Sequence, residues 1–258
     1  KPWSIEEAVD RYAAAGVQGV TAWRQWLEGR DIAATGRRIR EAGLEVVSLC
    51  RGGFFPAIDA LGRQAAIDDN LRAIDEAEAL GAPLIVLVCG ADPNQPLTES
   101  RKQIQDGIVA VLDRAKQAGV KLAIEPLHPM YAAERSAVND MTTANDMCDA
   151  IDSSHVGVAV DVYHLWWDPR LQQEIRRCGG AGRIFAFHVC DWRSPTEDML
   201  NDRGLMGEGC IDIRQIRGWV EENGFDGFNE VEIFSHRYWS MDQDEFLEKI
   251  KTAYLQWV

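Results

Sequence analysis

KQAGVKLAIEP, residues 116–126, contains the pattern that predicts the fold: the end of a helix, a glycine, a short apolar run and a carboxylate. A glycine just past a helix takes the left-handed conformation without steric cost, so Gly119 predicts a helix stop. The same order of helix, glycine and apolar run recurs in AAAGVQGVTAW (13–23), REAGLEVVSLC (40–50), EALGAPLIVLVCG (78–90) and EENGFDGFNEVEIF (221–234). This recurrence predicts strands that alternate with helices.

The apolar runs are continuous and do not alternate with polar residues. Two further runs of this kind are HVGVAVD (155–161) and RIFAFHV (183–189). Strands that are covered on both faces have this composition, and strands that alternate with helices pair in parallel. The other helix stops are predicted at Gly16, Gly43, Gly81 and Gly224. The expected fold class is therefore α/β, and specifically a (β/α)8 TIM barrel.

Seven strands are predicted, one fewer than such a barrel requires. They begin near residues 17, 44, 83, 120, 155, 183 and 227. The N-terminal segment is expected to be helical, because Ser4 and Glu7 have the spacing of a capping box that starts a helix at Ile5. We therefore expect the first strand to lie before Lys1, outside residues 1–258, with a seven-stranded or open barrel as the alternative. No linker or low-complexity segment divides residues 1–258, so a single domain is predicted.

Composition limits the classes of partner. The chain carries 27 Lys and Arg against 41 Asp and Glu, a formal charge of −14, which disfavours nucleic acid and anionic membranes. No run approaches the roughly 18 apolar residues of a membrane span, and no signal-peptide pattern opens the sequence. The six cysteines form no CxxC pair, and three of them end apolar runs. Such thiols are typical of a reducing compartment, so a cytoplasmic location is predicted.

Four of the predicted strands end in a residue that can bind a metal ion: Glu125, Asp161, His188 and Glu232. The carboxyl ends of the strands carry the active site in a TIM barrel. A single strand-end carboxylate is more often a cap or an ion-pair partner, but four such residues on consecutive strands favour a shared site. Glu230 shares a strand face with Glu232 and lies one layer deeper, so we prefer Glu232 as the ligand. We expect Glu230 to make a polar contact inside the barrel or to support the site.

The ligand types limit the metal. Three carboxylates and one imidazole suit Mn²⁺, Mg²⁺ or Co²⁺ better than a metal that prefers thiolates, and Zn²⁺ stays open. We expect one divalent ion, with Mn²⁺ preferred.

The segments IEPLHP, VDVYHLWWDP, FHVCDW, MGEG and VEIFS resemble the sugar isomerase/epimerase family with a xylose-isomerase-like barrel. This family includes ketose 3-epimerases, hydroxypyruvate isomerase and inosose dehydratase. The resemblance runs from Pro2 to about Leu247. It implies that Glu125, Asp161, His188 and Glu232 bind one divalent metal ion, and that Glu125 and Glu232 exchange the substrate's proton. It also implies a homo-oligomer, either a dimer or a tetramer.

The chemistry follows from the difficulty of removing a proton beside a ketone, because the developing enediolate carries charge on oxygen. A divalent metal stabilises that charge as a Lewis acid, and two carboxylates can remove and return the proton. We therefore predict a metal-dependent isomerase or epimerase of a small sugar or keto-sugar. The substrate is expected to be unphosphorylated, because the DWRSPTEDMLNDRG loop has two arginines among four acids. A lyase or dehydratase of a cyclic keto-polyol, and a non-catalytic sugar-binding barrel, are the alternatives.

Substrate contacts are predicted at five positions near the strand ends. The resemblance implies that His164, three residues after Asp161, bonds a substrate oxygen. Arg51 precedes two glycines that would let a ligand approach the backbone. Arg193 and Arg203 are weaker candidates, because loop arginines are more often solvated. Trp23 is one of several aromatic residues at the predicted rim that can cover a sugar ring.

Overall fold

The computed structural model describes residues 2–258, and its secondary structure alternates between strands and helices. The strands are β1 (Gly19–Trp23), β2 (Glu45–Gly53), β3 (Leu84–Val88), β4 (Lys121–Ile124), β5 (Val156–Asp161), β6 (Ile184–Val189), β7 (Asp191–Trp192), β8 (Arg203–Gly204) and β9 (Asn229–Val231). The helices are α1 (Ile5–Ala14), α2 (Arg24–Leu27), α3 (Ile32–Glu41), α4 (Ala60–Leu80), α5 (Leu97–Ala118), α6 (Met141–Ile151), α7 (Val162–Leu165), α8 (Leu171–Gly180), α9 (Ile213–Glu222), α10 (His236–Trp239) and α11 (Gln243–Trp257).

Seven of the strands form one sheet in the order β1-β2-β3-β4-β5-β6-β9, and every pair is parallel. The predicted α/β barrel and its seven strands are confirmed, and each strand begins within a few residues of its predicted start. The short strands β7 and β8 form a separate antiparallel pair that the sequence analysis did not predict.

The two edge strands of this sheet, β1 and β9, lie close enough for their side chains to meet. Thr21 on β1 donates a hydrogen bond to Glu230 on β9, and the ring of Trp23 contacts that of Phe234 with centroids 5.3 Å apart. The sheet is therefore a nearly closed barrel. A further strand before Lys1, and the alternative of a seven-stranded barrel, both stay predictions.

Strand β3 shows why the apolar runs are continuous. All five of its residues are buried. Leu84 and Val86 pack inside the barrel with small residues of β4, β5 and β6, namely Ala123, Ala159 and Ala186. Ile85 and Leu87 belong to the larger core between the sheet and the helices. Both faces of the strand are thus apolar, and the small interior residues leave room near the strand ends.

The predicted ends of α4 and α5 agree with the structure. Gly81 and Gly119 cap α4 and α5 in the left-handed conformation, with φ of 83° and 67°. Helix α1 begins at Ile5 with the predicted capping box, in which the Ser4 hydroxyl accepts from the Glu7 amide. Among residues 2–258, none of the helices combines the length and the apolar character needed to cross a bilayer.

The contact between α3 and the end of α4 gives a stability prediction. A Cβ atom on Gly36 would lie 2.1 Å from the Leu80 carbonyl oxygen, which is backbone and cannot rotate away. We expect Gly36→Ala to lower the free energy of unfolding by about 1–3 kcal/mol. Gly218→Ala is the matched control, because Gly218 lies inside α9 with nothing within 4 Å of its added Cβ. That change should raise stability by roughly 0.5–1 kcal/mol in urea denaturation. Equal effects of the two substitutions would contradict the packing argument.

Candidate metal centre

The four strand-end residues predicted to bind a metal converge at the carboxyl ends of β4, β5, β6 and β9. Glu125, Asp161, His188 and Glu232 each offer one ligand atom, and these atoms all lie within 4.8 Å of one another. Register explains the convergence, because Asp161 is paired with His188, and His188 is paired with Glu230 two residues before Glu232. Glu125, Asp161 and His188 are buried, and Glu232 is partly exposed at the open side.

The imidazole of His188 presents a different nitrogen to each side of the site. Its Nδ1 lies 2.9 Å from Glu125 Oε1 and 4.0 Å from Glu232 Oε2. Its Nε2 points the other way and lies 3.7 Å from Glu230 Oε1. Nε2 is buried and has no hydrogen-bond partner among the described residues. Nδ1 is therefore the nitrogen that faces the carboxylate cluster.

Arg203 is the cation that partly neutralises this cluster. Its guanidinium donates to Asp161 Oδ2 at 3.0 Å and to Glu232 Oε2 at 2.8 Å. The side chain is 4% exposed, so the alternative of a solvated loop arginine does not apply to Arg203. The hairpin of β7 and β8 holds it there, together with a hydrogen bond from the Arg203 amide to the Phe234 carbonyl.

The loop that follows Arg203 is fixed by one buried carboxylate, Asp191. Its two oxygens accept hydrogen bonds from the amides of Gly207, Gly209 and Ile211, at 2.9–3.0 Å. A buried carboxylate that accepts hydrogen bonds from several backbone amides holds that backbone firmly in place. This anchor keeps the β8 loop against the barrel and Arg203 beside the cluster.

Charge and burial make the site suited to a cation. Three carboxylates face one guanidinium in a buried space, so negative charge is in excess there. Burial raises the pKa of Asp161 to about 7, and the charges of Glu232 and Glu125 act in the same direction. Although burial lowers the pKa of His188, the carboxylates of Glu230 and Glu125 raise it well above its ordinary value. A divalent cation would supply the missing positive charge, so these residues fit one.

His164 adjoins the cluster through Arg203. Its Nε2 lies 3.0 Å from an Arg203 nitrogen and 3.6 Å from Asp161 Oδ2. Burial and the Arg203 charge hold the pKa of His164 well below its ordinary value, so the ring is neutral. Because a guanidinium can only donate, the neutral Nε2 accepts in this contact.

A family model for the xylose isomerase-like TIM barrel matches residues 9–254. The chain belongs to the xylose isomerase-like TIM barrel family. Among solved structures, protein SMc04130 from Sinorhizobium meliloti 1021 is 47% identical, with a TM-score of 0.96, over 99% of this chain and 94% of that one. The IOLI protein with a bound zinc atom has a TM-score of 0.83 at 20% identity, over 96% and 90% of the two chains. At that identity, the likeness shows the fold alone.

Two relatives with named activities extend the comparison. Inosose isomerase from Halalkalibacterium halodurans is 25% identical over 204 residues, which are 78% of this chain and 69% of that protein. The L-ribulose-5-phosphate 3-epimerase UlaE from Salmonella paratyphi A is 26% identical over 205 residues, which are 76% and 67% of the two chains. The predicted membership of a sugar isomerase/epimerase family with a xylose-isomerase-like barrel is therefore confirmed.

The residues predicted to contact substrate in this xylose isomerase-like barrel lie at different distances from the cluster. His164 and Arg203 contact its members directly. Trp23 packs against the barrel interior and Phe234. Arg51 lies against the ring of Phe54, 4.0 Å from its centroid. Arg193 forms an ion pair with Asp202 instead and makes no contact with the four strand-end residues.

The sequence did not indicate the inward turn of Arg203 or the partners of Glu230. Nothing in the acid-rich loop around Arg203 indicated which side chain turns inward. Glu230 was considered only as an interior polar contact or a supporting group, although the alternation along β9 already placed it on the same face as Glu232. Its position behind His188 depends on Thr21, which donates to Glu230 from a strand more than 200 residues earlier.

Glu230 gives a prediction about metal affinity. When a metal takes His188 Nδ1, the proton must reside on Nε2, and Glu230 is the acceptor within reach. We expect Glu230→Leu to weaken Mn²⁺ binding by about 10–100-fold in isothermal titration calorimetry. Glu230→Gln keeps an acceptor oxygen and should retain most of the affinity. If both variants bind Mn²⁺ as the wild type does, Glu230 has no role in orienting His188.

Proposed function

We propose that the protein is a divalent-metal-dependent isomerase or epimerase that moves a proton on a small sugar or keto-sugar. The observation that carries this proposal is the convergence of Glu125, Asp161, His188 and Glu232, whose ligand atoms lie within 4.8 Å of one another. Support also comes from family members that are named as an inosose isomerase and a 3-epimerase.

We assign one divalent ion to these four residues, with Mn²⁺ preferred because oxygen ligands outnumber nitrogen. The similar IOLI protein has a bound zinc atom, which supports a metal site in a barrel of this fold. Zn²⁺ is therefore our second candidate for the ion. When bound, the ion would supply a Lewis acid that stabilises negative charge on the substrate's oxygens.

We assign proton removal and return to Glu125 and Glu232. In the order β4-β5-β6-β9 these two residues follow the outer strands, and Asp161 and His188 end the inner ones. Carboxylates from opposite sides of a site can act on opposite faces of one carbon, which inverts that carbon. Return of the proton to the neighbouring carbon would instead interconvert an aldose and a ketose.

The remaining polar residues position the reacting groups. Arg203 binds Asp161 and Glu232 and so restricts their rotation. His164 is proposed to bond a substrate oxygen, because it is neutral and lies beside Asp161. Aromatic rings at the rim, such as Tyr163 stacked on Trp192 with centroids 4.8 Å apart, would exclude water from the bound substrate.

Proton abstraction is tested by deuterium incorporation. The Mn²⁺-loaded protein is incubated in D₂O with a panel of neutral and anionic ketoses and cyclic keto-polyols, and NMR follows deuterium beside the carbonyl. We expect incorporation for at least one substrate, with a product of unchanged mass apart from the label. Loss of water from the product would indicate a dehydratase. Absence of incorporation from every ketose and keto-polyol would contradict the proposal and favour a binding protein.

The cellular setting is proposed from the thiols. All six cysteines are free, and five of them are buried. Free thiols persist in a reducing compartment, which supports a cytoplasmic protein. We also propose a homo-oligomer, either a dimer or a tetramer, which analytical ultracentrifugation would test.

A further inference from the structure

Two arginines at the mouth of the barrel have no acidic partner. Within residues 2–258, six arginine side chains form no hydrogen bond and no ion pair: Arg37, Arg51, Arg135, Arg170, Arg176 and Arg237. Four of these are exposed, where water solvates the guanidinium. Arg51 and Arg135 are partly buried, and burial of a charge without a partner costs free energy.

The two guanidiniums lie over the aromatic rings of a single apolar cluster. Arg51 Cζ is 4.0 Å from the centroid of Phe54, and Arg135 Cζ is 5.8 Å from that of Tyr131. Phe54 and Tyr131 both pack in the cluster that contains Val88, the last residue of β3. The two cations therefore occupy the same side of the barrel mouth, one near the carboxyl end of β2 and the other in the loop after β4.

This side of the mouth adjoins the metal centre. The ring of Tyr131 contacts that of His164 with centroids 5.7 Å apart, and His164 in turn contacts Arg203 and Asp161. Arg51 also lies close to the barrel interior, because the residue before it, Cys50, packs there.

The surroundings of Arg51 destabilise the positive charge on its guanidinium. Burial is the main cause that lowers the pKa of Arg51, and the cations Arg135 and Arg24 add to it. Cys50 and, to a smaller extent, Asp69 counteract this effect on the pKa of Arg51, but Asp69 already accepts hydrogen bonds from Arg24 and Arg72. An anion placed between Arg51 and Arg135 would relieve the repulsion, and guanidiniums bind carboxylate and phosphate groups in a forked geometry.

We propose that Arg51 and Arg135 bind an anionic group of the substrate, a carboxylate or a phosphate, at the end of the molecule away from the reacting carbonyl. The inference rests on the proposed function, because it specifies the substrate of that same site. Arg203 and Arg193 are excluded from this role, because their guanidiniums are already paired with acids. The aromatic rings under the two arginines restrict their motion, so less entropy is lost when the anion binds.

The test uses three ketoses that differ only at carbon 6. These are D-fructose, D-fructuronate and D-fructose 6-phosphate, which carry a hydroxymethyl group, a carboxylate and a phosphate. Isothermal titration calorimetry measures the binding of each ketose to the Mn²⁺-loaded full chain. We expect one or both anionic ketoses to bind at least about tenfold more tightly than D-fructose. The tighter of the two identifies the source of the anionic group.

Variants connect the preference to the two arginines. Arg51→Gln and Arg135→Gln should each weaken binding of the preferred anionic ketose by about tenfold more than binding of D-fructose, with Mn²⁺ binding unchanged. Arg37→Gln removes the same charge from an unpaired but exposed arginine and should change none of these affinities. Equal affinity for all three ketoses, no measurable binding of either anionic ketose, or equal losses in all three variants would overturn the inference.

Binding and turnover are read separately, which distinguishes this inference from the proposed function. A preference for the anionic ketose without deuterium incorporation from any substrate would support the anion site and contradict the isomerase or epimerase. Deuterium incorporation with no preference for anionic ketoses would support the enzyme and overturn the anion site.

Discussion

Glu125→Gln and Glu232→Gln should each lower deuterium incorporation by about 10²–10⁴-fold, the range that a positioned acid-base group contributes. The physical reason is that an amide can neither take up nor release the substrate's proton, although its oxygen can still approach a cation. Both residues lie in the cluster whose ligand atoms are within 4.8 Å of one another. The rate is measured by NMR at Mn²⁺ concentrations that saturate each variant, so that weaker metal binding does not contribute.

The matched control is Glu134→Gln, the same change at an exposed carboxylate in the loop that follows Glu125. This variant should exchange deuterium as the wild type does. If Glu125→Gln exchanges at the wild-type rate with a filled metal site, the acid-base assignment is wrong. If only one of the two glutamates matters, a single carboxylate serves both faces of the carbon.

Asp161→Asn should weaken Mn²⁺ binding by more than about 100-fold, beyond the effect expected of a supporting residue. Asp161 is fully buried and offers a candidate ligand atom at the end of β5, between the strands that carry Glu125 and His188. Its loss removes one negative charge and leaves Arg203 with a single carboxylate partner, Glu232, which disfavours a second cation in the same space. Calorimetry measures the affinity directly.

Thermal unfolding provides an independent readout for the same variant. A ligand that binds only the folded state adds RT ln(1 + [L]/Kd), or about 2.7 kcal/mol at a concentration one hundred times its Kd. Mn²⁺ should therefore raise the melting temperature of the wild type, with no rise for Asp161→Asn at the same concentration. The control Asp152→Asn, at an exposed helix cap before β5, should respond as the wild type does. A normal Mn²⁺ response from Asp161→Asn would remove Asp161 from the ligand set.

Much of the site could be predicted because strand ends are local features. A continuous apolar run that stops at a carboxylate marks both a buried strand and its carboxyl end. In a parallel barrel, all such ends meet at one rim. This reasoning placed Glu125, Asp161, His188 and Glu232 together, and the structure brings their ligand atoms within 4.8 Å. The helix stops at Gly81 and Gly119 were predictable for the same reason, since backbone conformation there depends on nearest neighbours.

The charged loop residues could not be predicted in this way. Arg193 and Arg203 lie in one acid-rich loop, and nothing in its composition separates them. The structure pairs Arg193 with Asp202 and buries Arg203 between Asp161 and Glu232. The outcome depends on the β7–β8 hairpin and on the Asp191 anchor, which are tertiary contacts.

By itself, the sequence determined the alternation of strands and helices, the barrel class and the four strand-end residues, because hydrophobic periodicity and helix caps act over a few neighbouring residues. Only the tertiary structure decided that Glu230 lies behind His188 and that Arg203 sits inside the cluster. It also decided that Arg51 and Arg135 share one apolar cluster without an acidic partner. Coulomb interactions and desolvation depend on distances in space between residues far apart in the chain, and those distances exist only once the barrel has formed.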